Sequence, residues 1–227
     1  MPDAPTDDLV TRAFDEECTA WVRATATLTA HQFTLPTPCP PWTVAELIAH
    51  VTAAIARVPD GLAAPPPARA NLDAAGYYHP RIFDATANAA RVSAAKDAAA
   101  AHPNTAALVA AFDHQRRRAL RAIAGQPPER LLVTRWGDGM TLREFLLTRV
   151  VELALHGLDL ANALSTPAWT TPAAAAAVTD FLGVGTAATR LGWDRTTTLA
   201  KASGRAPLTA DEQSELARAR IPWHQFG

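Results

Sequence analysis

The chain has 227 residues, a formal net charge of −1 and 48% hydrophobic residues. That length suits one large domain or a main domain with a small appendage. The balanced charge, with no basic tract, argues against nucleic acid and anionic membranes as principal partners.

The two cysteines, Cys18 and Cys39, are too few for a disulfide framework and fit a reducing cytoplasm. The acidic N-terminus carries no apolar signal core, and no run of about 18 apolar residues suggests a membrane span. Alanine is abundant and long alternating runs are absent, so the expected fold class is mainly all-α.

A first helix is predicted over residues 6–30, with Thr6 as N-cap and Asp7 and Asp8 in the first turn. Cys18 falls on its apolar stripe and reads as a core residue. The proline-rich stretch 34–42 is a rigid loop. Thr43-Val-Ala-Glu46 has the form of a capping box and opens a second helix, which Pro59-Asp60-Gly61 is expected to stop near Val58. Residues 59–80 read as a long surface loop, in which Tyr77, Tyr78 and His79 cluster. They would either lie over a site or simply pack an insertion.

Helices follow over 81–101 and 105–124, and the run Arg116, Arg117, Arg118 reads as a solvated face. Residues 131–136 read as extended, with a turn at 137–139. Thr141-Leu-Arg-Glu144 is a second capping-box pattern and opens a helix running to about Leu164. Beyond Pro167, short helices are predicted over 172–189, 194–202 and 209–219, with Thr171-Pro172 and Thr209 as start signals.

Glu152 and His156 lie four residues apart, one turn up the same helix face. Their neighbours are Val and Leu, which should be buried, and a carboxylate in such surroundings needs compensation. A divalent cation would supply it, with His50 on the second helix as third ligand. Bundle cores build metal centres from facing helices in this way. Two imidazoles and a carboxylate suit Zn²⁺ with a fourth position open, and Fe²⁺ or Ni²⁺ accepts the same set. Metal-free readings compete: a lone histidine is normally a satisfied core residue, and Arg149, three residues before Glu152, would neutralise it directly. Asp159 shares the stripe and would either fix the tautomer of a ligand imidazole or pair with an arginine.

The stretch Cys39-Pro-Pro-Trp42-Thr-Val-Ala-Glu46-Leu-Ile-Ala-His50 resembles the second-helix signature of the mycothiol-dependent maleylpyruvate isomerase family. The stretch from Gly137 through Arg149-Val-Val-Glu152-Leu-Ala-Leu-His156-Gly-Leu-Asp159 resembles its fourth-helix signature. The resemblance covers about residues 6–165. It implies a DinB-like metal-binding four-helix bundle over 1–165. A small, mostly helical C-terminal domain follows over 166–227, shorter than the α/β domain of the isomerase. It also implies that His50, Glu152 and His156 hold a divalent metal, usually zinc, and that mycothiol is the co-substrate. The family's C-terminal arginine, which helps bind anionic substrate, is best matched by Arg205.

The function so implied is S-transfer or cis–trans isomerisation of a small electrophile by a metal-held thiolate. Tyr77, Tyr78 and His79 are candidate proton donors or substrate contacts. The alternatives are a thiol-independent lyase, hydrolase or cyclase on the same scaffold, and a non-catalytic metal-binding bundle. Monomer and homodimer both remain open.

Overall fold

The computed structural model describes residues 8–78, 84–221 and 223. Thr6 and His79 lie outside them. Four long helices form the frame: α1 (Leu9–Thr25), α3 (Val44–Ala63), α6 (Thr105–Ile123) and α7 (Leu142–Ala163). They contact in a ring, α1 with α7, α7 with α3, α3 with α6, and α6 back to α1.

Each buries a stripe at helical spacing. On α1 it is Val10, Ala13, Phe14, Glu17, Cys18 and Trp21. Trp21 sits at the centre, stacked on Phe112 at 5.8 Å, with its indole N–H donated to the Leu153 carbonyl at 2.9 Å. A fully buried indole needs such a partner. Helix α7 is buried almost all round, because the later segments cover the side that the ring leaves open.

Helix α1 ends at Thr25, short of the expected residue 30, and a separate turn, α2 (Ala30–Phe33), follows with its own capping box from Thr29. Residues 34–43 fold into a compact loop. The Thr37 amide and hydroxyl both donate to the Trp42 carbonyl at 2.9 Å, and Val44 N–H donates to Leu35. The Pro40–Pro41 bond within it is cis. The Thr43–Glu46 capping box forms as the sequence indicates.

Helix α3 does not stop at Val58. It runs through Pro59 to Ala63. An interior proline costs about 3 kcal/mol through a lost bond and a clash. Tertiary burial opposes that cost: Val58, Pro59 and Gly61 are all buried. Gly61 lets the next strand approach, since a Cβ there would stand 2.9 Å from the Val133 carbonyl oxygen.

The 59–80 stretch is therefore shorter than expected as a loop. It carries a turn, α4 (Ala74–Tyr77), and is tied down by Asn71, whose amide donates to the Gly139 carbonyl and whose side chain accepts from Gly139 N–H. Helix α5 (Ala85–Ala100) lies against α3 outside the ring and buries only Ala95.

A two-stranded hairpin, β1 (Leu131–Val133) and β2 (Gly139–Thr141), pairs Leu132 with Met140 and leads into α7. Thr141 ends the strand and caps the helix, but the capping box is half formed. The Glu144 side chain instead accepts the Ala74 amide at 2.8 Å, fastening α4 to α7.

Among its described residues the C-terminal stretch has four helices: α8 (Pro172–Phe181), α9 (Gly185–Leu191), α10 (Arg195–Ala202) and α11 (Ala210–Arg218). The helix expected over 172–189 breaks where Gly183 takes a positive φ of 66°. Helix α8 packs on α1 and α7, and α10 on α8 and α7; Ala174, Val178 and Leu199 join the core shared with the ring. The mainly helical class is as the sequence indicates.

Candidate metal centre and its cavity

His50 projects from the second turn of α3, and Glu152 and His156 from successive turns of α7. The structure brings all three together. His50 Nε2 lies 3.3 Å from Glu152 Oε2, and His156 Nε2 lies 3.4 Å from the same oxygen. Ligands held at about 2.0–2.1 Å around a tetrahedral ion are roughly 3.3 Å apart. Both distances to Glu152 match that spacing, and the three donor atoms all lie within 4.8 Å of one another, so the set could hold a divalent metal.

The surroundings differ from the buried site the sequence suggests. The Glu152 side chain is 22% exposed and each histidine 14%. The reason is a cavity of about 580 Å³ whose floor they form. Of the Val and Leu that flank them along the helix, Val151 and Leu155 line the same cavity, while Val150 and Leu153 are fully buried in the core.

The second layer is specific. His156 Nδ1 donates to Asp159 Oδ2 at 2.9 Å, which leaves Nε2, beside Glu152, as the nitrogen on which a metal would take the place of a proton. Asp159 is itself 3% exposed and is gripped by Arg205, from Nε to Oδ1 and Nη2 to Oδ2, both at 2.8 Å. That bidentate fork is a strong arrangement. It also means that the arginine the resemblance assigns to substrate holds a carboxylate of this chain.

Cys39, from the proline-rich loop, donates its thiol to Asp159 Oδ2 at 3.1 Å. Trp42 from the same loop stacks on His50 at 4.5 Å. Neither residue stands out chemically in the sequence. The signal was their place in the loop just before the capping box of the His50 helix.

The charges follow from these contacts. Burial lowers the pKa of His50 and keeps its imidazole neutral, as a ligand must be. Burial would raise that of Glu152, but hydrogen bonds from His156 and His50 overcome it and hold the carboxyl well below the usual range. For His156, burial favours the neutral ring, and the hydrogen bond to Asp159 outweighs it, so its pKa is pushed well up.

Arg149 does not form an ion pair with Glu152. Its Nη1 donates to the Ala54 carbonyl at 3.4 Å and its Nε to Thr148 Oγ1 at 3.1 Å. Tyr77 and Tyr78 both line the cavity. The Tyr78 hydroxyl donates to the Thr148 carbonyl at 3.1 Å, and burial pushes its pKa well above 10. His79 falls outside the described residues.

The sequence profile of the mycothiol maleylpyruvate isomerase N-terminal domain matches residues 14–161. A crystal structure of the mycothiol-dependent maleylpyruvate isomerase is similar at 16% identity and a TM-score of 0.53, covering 79% of this chain and 70% of that one. A structure of a histidine-to-alanine mutant of that enzyme matches with the same values. No curated protein matches the chain significantly. All three proposed ligands lie inside the matched stretch.

Proposed function

The chain belongs to the family of the mycothiol maleylpyruvate isomerase N-terminal domain, and from that premise we propose that it is a metal-dependent enzyme that brings a small thiol, mycothiol, to an electrophile. The observation that carries this reading is the convergence of His50 Nε2, Glu152 Oε2 and His156 Nε2 on the floor of the cavity. Zinc suits the set best, with nickel and iron as alternatives.

When bound, the metal supplies the positive charge that keeps a thiol in its nucleophilic thiolate form. The chain's own residues do the rest. Asp159 fixes the His156 tautomer and Arg205 fixes Asp159. Trp42 fixes the plane of the His50 ring. Trp42, Val151, Leu155 and four alanines of α5 form part of the apolar cavity wall.

With a cis-alkene conjugated to a carbonyl, the sulfur adds to one alkene carbon as the π pair moves to the carbonyl. The former double bond then turns as a single bond. Return of the electron pair expels the sulfur and leaves the trans isomer, so the thiol is regenerated. With an electrophile that bears a leaving group, the sulfur displaces it and stays bonded. One scaffold thus serves isomerase and S-transferase chemistry. Both described cysteines are free thiols, in keeping with a cytoplasmic enzyme. No helix among the described residues is long and apolar enough to cross a membrane.

The test is metal analysis joined to mycothiol titration. The purified chain is expected to carry one metal and to bind mycothiol only when loaded. Stoichiometric metal with no thiol binding would refute the thiol reading.

A further inference from the structure

The cavity is more cationic than a three-ligand metal centre needs. Among the described residues, five arginines line it, against one carboxylate, Glu152. Two of the five turn their Nη groups on side chains of this chain, Arg205 on Asp159 and Arg91 on Asn88 Oδ1 at 3.3 Å, while Arg149 spends Nη1 and Nε on Ala54 and Thr148 and has Nη2 left over.

The other three come from separate elements. Arg149 of α7 is 3% exposed and forms part of the cavity wall. Its guanidinium lies 5.0 Å from the Tyr77 ring centroid and 4.8 Å from that of Phe145. Its buried Nη2 has no hydrogen-bond partner among the described residues. Arg57 of α3 and Arg135 of the hairpin are exposed on the same cavity. Neither forms an ion pair among the described residues.

Arg135 stacks over Trp136 at 4.1 Å. Partial burial lowers its pKa, Tyr77 acts against that shift, and the positive charges of Arg57, Arg91 and Arg149 add to it. Like charges gathered from three elements oppose folding unless an anion offsets them. A divalent cation on the triad makes the imbalance larger, because Glu152 is then neutralised.

We propose that Arg57, Arg135 and Arg149 form a carboxylate subsite, separate from Arg205, that receives the anionic end of the electrophilic substrate. A planar carboxylate matches the guanidinium fork. A cavity of about 580 Å³ in a chain of net charge −1 suits a small molecule, not a polyanion. The proposal rests on the reading of this cavity as the substrate site, but not on the use of a thiol.

Calorimetric titration of the full, metal-loaded chain with succinate, its uncharged diamide succinamide and inorganic phosphate tests it. Succinate is expected to bind and succinamide not. The double variant Arg57→Gln/Arg135→Gln is expected to bind succinate at least tenfold more weakly, with metal content unchanged and a melting temperature no lower than the parent's. Succinate that merely ligated the metal would survive the double substitution, so equal affinity in the variant overturns the proposal. Equal binding of succinamide overturns it too, and phosphate binding tighter than succinate overturns the choice of carboxylate. Succinate and mycothiol are expected to bind together; mutual exclusion overturns the assignment to the electrophile. Arg149→Gln is expected to weaken succinate further, and if that variant does not fold, the double variant decides alone. Loss of the thiol reading would leave succinate binding intact, whereas failure of the subsite would leave mycothiol affinity intact.

Discussion

Glu17 and Glu152, two of the carboxylates within the bundle, meet burial in opposite ways. Glu17 of α1 is fully buried at the seam with the C-terminal stretch, where Oε2 accepts the Thr171 amide at 2.8 Å and Oε1 has no partner. Burial raises its pKa, and that one amide does not reverse the shift. Glu152 of α7 faces the same desolvation, but two imidazoles reverse it and hold it charged. The first carboxyl helps fasten α8 to α1. The second is kept anionic at a cavity, as a metal ligand must be. Burial alone therefore does not mark a functional carboxylate. The company of two nitrogen donors does.

The sharpest way to break this contrast is to remove the donors. His50→Ala, Glu152→Ala and His156→Ala are each expected to abolish stoichiometric metal, read by elemental analysis, while circular dichroism shows the helices retained. Full metal content in all three would show that the site lies elsewhere.

The structural side should behave in the reverse sense. Trp21→Ala is expected to cost about 3–5 kcal/mol in a denaturant titration, because it deletes a buried ring stacked on Phe112 and met edge-on by Trp169. The metal content of the molecules that remain folded should not change.

A smaller effect is expected one layer out. Asp159→Asn keeps the shape but loses the charge that orients His156 and anchors Arg205. Metal affinity should fall about 10–100-fold, measured by competition with a chelator. Unchanged affinity would mean that the aspartate serves packing alone.

The mildest change is Glu17→Gln. A carboxyl whose folded pKa is raised stabilises the protein fully below its unfolded value, near 4.5, and loses that contribution as pH rises through the folded value. The amide oxygen can still accept from Thr171 and carries no charge. The variant is therefore expected to melt a few degrees above the parent at pH 7, with the gap closing towards pH 4. A lower melting temperature at pH 7 would show that the charged form is the favoured one.

Much of the frame was legible because its signals are local. The Thr43 and Thr209 capping boxes, the Thr171-Pro172 start and the i, i+4 pair on α7 depend on neighbours in sequence. What was not legible depends on distant partners. Helix α3 overruns Pro59 because β1 packs beside it, and Glu144 leaves its own cap to hold Ala74. Gly183 splits a helix that periodicity reads as continuous. At the site, His50 was singled out only because a Glu/His pair exists about a hundred residues later. The roles of Trp42 and Cys39 had no periodic signature because both lie in a loop, nor had the gathering of Arg57 with Arg135, which come from separate elements.

The account rests on a thiol sulfur reaching a metal held by His50, Glu152 and His156. X-ray absorption at the zinc edge of the loaded chain, before and after addition of mycothiol, tests this most directly. Only nitrogen and oxygen neighbours are expected at first, with one sulfur appearing at about 2.3 Å once the thiol is added. A shell that gains no sulfur would contradict it.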